Sequence, residues 1–170
     1  MPLNLELKVK MNSFRKTAKL LKEINAHFLK TLNQKDIYYK TTGGLLKLRI
    51  ENGEQSIIKY LRDEKGKDRF SDYEFISFES GDAEKFFKNI FNIEAVVQKK
   101  RLLFIYDNTR IHLDTVKGLG KFLELETLVL KGKNDAKKRF AFVKKALELE
   151  TLPGFKKSYR DLIISSKKSK

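Results

Sequence analysis

Apolar and polar residues alternate one by one along most of the chain, which is the period of a β-strand. The segment from Leu3 to Lys10 shows this most regularly, with apolar residues at the odd positions and polar or charged residues at the even ones. Turn-forming residues such as Asn52-Gly53 and Lys65-Gly66 separate the alternating segments. The pattern predicts strands at Leu3–Lys10, Lys35–Lys40, Leu45–Glu51, Ser56–Arg62, Arg69–Glu79, Val96–Tyr106, Arg110–Val116 and Lys121–Lys131.

Apolar residues also recur at three- and four-residue steps in a few places, which is the period of an amphipathic helix. This pattern predicts helices at Ser13–Leu32, Asp82–Phe91, Asp135–Leu149 and Tyr159–Ile164. Short turns between most strands indicate an antiparallel meander, and a sheet of about eight strands tends to curl or close. We therefore expect an α+β fold, an eight-stranded antiparallel β-barrel with helices packed outside, as a single domain over residues 1–170.

Composition limits the function classes that need to be considered. The sequence has no cysteine and only two histidines, which excludes disulfides and thiolate metal sites and fits a cytoplasmic protein. It has no apolar run near the roughly 18 residues of a membrane span, so no membrane association is expected. The net charge of +15 attracts anions. A nonspecific nucleic-acid-binding module is one explanation of that charge, and a solvated lysine-rich surface is another.

Basic residues are concentrated on some of the predicted strands and carboxylates on others. Lys47 and Arg49 share one face of a predicted strand, while Glu124 and Glu126 share one face of another. Such faces are often only solvated. If they line the inside of a barrel, however, basic residues on one wall bind phosphate oxygens, and carboxylates on the other wall need a cation between them. Oxygen ligands suit Mg²⁺ or Mn²⁺ shared with a bound phosphate.

Six short segments occur in an order that resembles one known family. They are NLELKVK, LLKLRI, IIKY, QKKR, RIHLD and GLGKFLELE, and together they are similar to the CYTH family of triphosphate tunnel proteins. That family includes class IV adenylate cyclases, thiamine triphosphatases and inorganic tripolyphosphatases. The resemblance implies a tunnel that holds ATP or another triphosphate together with Mg²⁺ or Mn²⁺, and no specific nucleic acid. A homodimer is compatible with it.

The resemblance also implies roles for individual residues. The predicted metal ligands are Glu6, Asp114, Glu124 and Glu126. The predicted catalytic residues are Glu6, Lys10, Arg49, Lys59 and Arg101. The predicted triphosphate-binding residues are Lys8, Lys10, Lys47, Arg49, Lys59, Lys99, Arg101, Arg110 and His112.

Two points concern the reaction. Glu6 is matched to the first Glu of the family's Glu-x-Glu-x-Lys motif, so Lys8 stands where the motif has its second Glu, which argues against a second metal ion. His112 either binds substrate or orients Asp114. The RIHLD and FLELE segments favour a class IV adenylate cyclase-like reaction, with hydrolysis of tripolyphosphate, thiamine triphosphate or a nucleoside triphosphate as the alternative.

Overall fold

The computed structural model describes residues 3–62 and 69–168, so the predicted turn at Lys65-Gly66 lies outside the described residues. Within this part of the chain there are eight strands and four helices, and the α+β class is confirmed. The strands are β1 Leu3–Met11, β2 His27–Tyr39, β3 Leu45–Glu51, β4 Glu54–Arg62, β5 Arg69–Phe78, β6 Ile93–Tyr106, β7 Thr109–Val116 and β8 Gly120–Leu128. The helices are α1 Arg15–Glu23, α2 Ala83–Lys88, α3 Lys133–Ala146 and α4 Tyr159–Lys168.

All neighbouring strands are antiparallel, as predicted, in the order β1-β5-β4-β3-β2-β6-β7-β8. Strand β1 lies between the two ends of this order, because it pairs with β8 from Asn4 to Met11 and with β5 from Leu3 to Glu6. The order of strands thereby returns to its start. Among the described residues, β1 pairs with β5 over four of its residues and with β8 over eight.

Alternation along the strands gives the ring an apolar outer face and a charged inner face. The main outer core lies over β1, β7 and β8 and beneath α1 and α3, which bury their amphipathic faces there. Its buried members are Val9, Leu21, Ile111, Leu113, Leu123, Leu125, Val143, Leu147 and Leu149. A second outer cluster places Ala83 and Phe87 of α2 against Ile37, Tyr39 and Leu48.

Helix α4 departs from the prediction that the helices pack outside. Its Tyr159 belongs to a cluster with Tyr38, Val97, Val116 and Phe122, which lie in the parity of the inner face of their strands. Helix α4 therefore packs against inner-face residues at one end of the ring and covers that end. This position brings the C-terminal helix next to the charged interior.

The first predicted helix is too long. Helix α1 ends at Glu23, and residues from His27 onward form the first half of β2, which pairs with β6. The physical reason is at Asn25, whose φ of 54° turns the chain out of the helix. The apolar residues at three- and four-residue steps up to Phe28 suggested a continued helix, but the pairing of β2 with β6 is irregular between Phe28 and Lys30, so apolar spacing there follows no single face. No helix in the described ranges is both long and apolar enough to cross a membrane.

Candidate active site

The inner face of the ring surrounds a cavity of about 310 Å³. Strands β1, β2, β3, β6, β7 and β8 supply most of its wall, and Ser158 and Tyr159 supply part of one end. The structure brings most of the predicted site residues together here. Those that line the cavity are Glu6, Lys8, Lys47, Arg49, Lys99, Arg101, Arg110, His112, Glu124 and Glu126.

One wall is basic and is organised by a carboxylate that the sequence analysis did not find. Asp36 of β2 is 1% exposed and accepts two hydrogen bonds of 2.7 Å from Arg49. It also accepts one of 3.1 Å from Lys47, and the Lys99 ammonium lies 4.0 Å away. We call these four residues the Asp36 cluster. A single buried carboxylate thus fixes three cations against the cavity.

Burial and neighbouring charges shift the pKa values of the residues in the Asp36 cluster by different amounts. Burial alone would raise the pKa of Asp36, but Arg49 and Lys47 outweigh burial and hold that pKa well below its usual value. Burial, together with Arg49, lowers the pKa of Lys47 from 10.5 to about 7. Burial and Arg101 lower the pKa of Lys99 to about 8. The two lysines therefore change charge near neutral pH, whereas the arginine and the carboxylate stay ionised.

A second cluster of hydrogen bonds holds Arg101 in position. Arg101 donates two hydrogen bonds of 2.6 Å to Asp114 and a third of 2.6 Å to Glu124. The Tyr159 hydroxyl donates to Asp114 at 2.9 Å. Asp114 is fully buried behind Arg101 and does not line the cavity. The structure therefore places this predicted metal ligand where it positions Arg101.

Tyr159 is a further site residue that the sequence analysis missed. Its ring centre lies 4.0 Å from the Lys8 ammonium and 5.0 Å from the Lys99 ammonium, distances typical of cation–π contacts. Lys8 also lies 3.0 Å from Glu124 and donates to the Lys157 carbonyl at 3.3 Å. A lone tyrosine at a helix start gives no sequence signal for this role, because the role depends on where α4 docks.

The opposite wall is acidic and carries an imidazole. Glu124 and Glu126 lie next to His112, whose Nδ1 is 3.8 Å from Glu124 Oε2 and 3.7 Å from Glu126 Oε1. One ligand atom from each of the three residues falls within 4.8 Å of the others. Glu6 of β1 is directly opposite Glu126 of β8, an arrangement of like charges that destabilises a sheet, and the guanidinium of Arg110 lies 3.5 Å from Glu126. These residues fit one divalent cation.

Two predicted site residues lie away from the cavity. Lys10 is exposed near the end of β1, with its ammonium 5.9 Å from the ring centre of Phe122. Lys59 is 55% exposed and lies 3.6 Å from Glu74 of the neighbouring strand. The inner position on β4 belongs to Ile58, which lines the cavity. Alternation then requires Lys59 to face outward, so neither lysine lines the cavity, and their roles in catalysis and triphosphate binding stay predictions.

A ring of antiparallel strands with fixed cations on one inner wall and carboxylates on the other defines a protein with a charged tunnel. The comparison with protein families identifies which one. Residues 3–159 match the model of the CYTH domain, and the chain belongs to the CYTH domain family.

Similar proteins carry related descriptions. A curated Methanocaldococcus jannaschii protein named "Putative adenylate cyclase MJ0240" is 28% identical over 94% of this chain and 98% of its own length. The PH1012 protein of Pyrococcus horikoshii has a similar fold, with a TM-score of 0.82, 24% identity, and coverage of 94% of this chain and 99% of its own. A Hippeastrum protein, HpAC1, superposes with a TM-score of 0.70 at 12% identity over 98% of this chain and 96% of its own. It is described as a putative adenylyl cyclase with a dominant triphosphatase activity. These names agree with the prediction of an adenylate cyclase-like enzyme or a triphosphatase.

Proposed function

We propose that the tunnel binds a triphosphate with a divalent cation and that the reaction is class IV adenylate cyclase-like, converting ATP to cyclic AMP and pyrophosphate. The observation that supports this most directly is the pair of opposed inner walls. The Asp36 cluster and Arg101 present fixed cations, and Glu124, Glu126 and His112 present ligands for a metal. A metal–polyphosphate complex needs both charges in one enclosed space.

Residues of this chain account for binding and orientation in such a reaction. The ribose 3′-hydroxyl attacks the α-phosphorus, and the bond to the pyrophosphate oxygen breaks. Arg49 and Arg101 stay charged and are held by Asp36 and Asp114, so they can stabilise negative charge without having to reorganise. A divalent cation at Glu124, Glu126 and His112 would neutralise the leaving pyrophosphate. Helix α4, through Tyr159, limits the access of water from one end.

The position of β1 residues supports a different alignment of the opening motif. Asn4, Glu6 and Lys8 line the cavity, with Asn4 1% and Lys8 4% exposed, whereas Lys10 lies outside. We therefore align the family's Glu-x-Glu-x-Lys as Asn4-x-Glu6-x-Lys8. The missing carboxylate is then the first one, at Asn4, and Lys8 becomes the phosphate-binding lysine. This alignment leaves fewer acidic ligands and favours a single cation.

A triphosphatase is the second candidate. The Hippeastrum protein with this fold bears the name of a putative adenylyl cyclase and is described as having a dominant triphosphatase activity. In that reaction water attacks the terminal phosphorus, and the basic and acidic walls would bind the triphosphate and the cation in the same way. The difference lies in the attacking group and not in the charged residues.

One assay distinguishes the candidates. Purified protein is incubated with Mg²⁺ or Mn²⁺ and, separately, with ATP, tripolyphosphate and thiamine triphosphate, and the products are resolved. Cyclic AMP with pyrophosphate supports the cyclase proposal, and orthophosphate without a cyclic product overturns it in favour of hydrolysis. A nucleic-acid-binding module predicts instead no turnover and an affinity for nucleic acid that falls steeply with salt and needs no divalent cation.

Triphosphate affinity should fall as pH rises through about 7 to 9, because Lys47 and Lys99 have lowered pKa values of about 7 and about 8 and lose their charge in that range. A charge-assisted hydrogen bond contributes about 1.5–3 kcal/mol, so we expect a loss of about tenfold or more. Calorimetric titration with tripolyphosphate without metal, at several pH values, measures this loss. Lys47→Gln should bind more weakly at pH 6 and show a flatter pH dependence. Equal pH profiles for wild type and variant would contradict the role of Lys47.

A further inference from the structure

His112 differs from Glu124 and Glu126 of the acidic wall because it offers a nitrogen atom instead of a carboxylate oxygen. It lies on β7 directly opposite Glu124 of β8, lines the cavity and is 3% exposed. Its Nδ1 is buried and has no hydrogen-bond partner among residues 3–62 and 69–168. A buried polar atom without a partner is costly, so a ligand at this position would relieve the cost.

The surrounding geometry suits a metal ion. A metal with bonds of about 2.1 Å holds neighbouring ligand atoms about 3.0–3.4 Å apart. The distances from His112 Nδ1 to Glu124 Oε2 and Glu126 Oε1 are 3.8 and 3.7 Å, a few tenths of an ångström longer. One ligand atom from each residue lies within 4.8 Å of the others, and Glu124 Oε2 also accepts a hydrogen bond from Arg101.

We propose that His112 is a direct ligand of the divalent cation in this tunnel, so that the site prefers first-row transition ions such as Mn²⁺ over Mg²⁺. The inference deepens the proposed function, on which it rests for the presence of a cation. Mg²⁺ strongly prefers oxygen ligands, whereas an imidazole nitrogen suits the transition ions.

The charge of the site agrees with this assignment. Glu124 already shares its charge with Lys8 at 3.0 Å and Arg101 at 2.6 Å. The imidazole therefore adds a ligand without another negative charge to a site where the carboxylates are partly neutralised.

The experiment measures metal binding apart from activity. The full chain is freed of metal with a chelator and titrated by calorimetry with Mn²⁺ alone and with Mg²⁺ alone, and bound Mn²⁺ is examined by pulsed EPR for coupling to nitrogen. His112→Gln removes the proposed ligand. His27→Gln is the matched control, because His27 is the only other histidine and is exposed at the start of β2. Circular dichroism melts check that both variants fold.

We expect tighter binding of Mn²⁺ than of Mg²⁺, and a nitrogen coupling in the wild type and in His27→Gln. His112→Gln should lose the coupling and bind Mn²⁺ about 10- to 100-fold more weakly, with a change of less than about threefold for Mg²⁺. A nitrogen coupling that persists in His112→Gln, or equal losses for both ions, overturns the proposal. If His112→Gln does not fold, the wild-type spectrum decides, because absence of nitrogen coupling there also overturns it.

These outcomes are separable from those of the proposed function. Turnover of a triphosphate without nitrogen coupling to bound Mn²⁺ would refute the role of His112 and leave the enzyme assignment intact. Nitrogen coupling without turnover of any triphosphate would do the reverse.

Discussion

Asp36→Asn is expected to lower the free energy of unfolding by about 3–5 kcal/mol, because it removes the only negative charge of the Asp36 cluster. Arg49 would lose its bidentate partner and Lys47 its acceptor at 3.1 Å, while Lys99 would keep only the weaker contact with Asp114, 3.9 Å away. Urea denaturation at pH 7 measures the change. Glu74→Gln is the control, because Glu74 and its partner Lys59 are both more than half exposed, and such pairs contribute about 0–1 kcal/mol.

The same denaturation experiment with tripolyphosphate present tests whether the Asp36 cluster binds phosphate. If the three cations of the Asp36 cluster face the tunnel as proposed, tripolyphosphate replaces the lost negative charge and should stabilise Asp36→Asn more than it stabilises the wild type. A loss of less than about 1 kcal/mol in Asp36→Asn would show that the cluster is not held by this carboxylate. Equal stabilisation of both proteins by tripolyphosphate would show that the ligand does not reach the cluster.

Glu124→Gln is expected to reduce kcat by about 100- to 1000-fold, the loss typical when a group that stabilises charge in the transition state is removed. Lys8 and Arg101 outweigh the effect of burial and hold the pKa of Glu124 well below its usual value, so this residue is ionised in the working protein. The amide retains the shape of the side chain but removes the charge that a metal needs. Steady-state rates on the substrate identified by the product assay measure the effect.

Glu150→Gln is the matched control for this variant, because Glu150 is exposed and far from the cavity wall. Thermal melts of both variants separate lost chemistry from lost structure. Wild-type turnover by Glu124→Gln, or by the wild type in excess chelator, would contradict the metal role of this wall.

The fold was predictable from the sequence where one physical pattern dominates. Strands β1, β3, β7 and β8 alternate over most of their length, since each has one face in an outer apolar cluster and the other in the charged tunnel. The first half of β2 was mistaken for helix, because the apolar steps up to Phe28 have the helical period and the strand is irregular near Phe28. The feature that ends α1 is Asn25, with a φ of 54°, and asparagine often occupies this position after a helix, so the sequence does carry a signal there.

Alternation along the strands also predicted most of the charged residues of the site. The residues that were missed or misplaced lie where alternation does not decide which face a side chain is on. Lys59 shares a strand with apolar residues on both faces, so its parity did not decide between the tunnel and solvent. Asp36 is the single carboxylate of β2, and its importance comes from cations on β3 and β6. Lys10 has the parity of Lys8 but lies beyond the end of the cavity. Alternation predicts which face a residue lies on, but it does not predict how far the cavity extends along β1.

The position of β1 between β5 and β8 has a consequence for how the protein is made. The first strand pairs with residues 121–128 of β8, so its partner is synthesised more than a hundred residues later. Until then, one edge of β1 exposes unpaired backbone groups beside the apolar residues Leu5, Leu7 and Val9. Long sequence separation between paired strands also slows folding, since the loop must close before the contacts form. The nascent chain therefore passes through a long aggregation-prone stage on the ribosome, and chaperones that shield its N-terminal strand should raise the yield of folded protein.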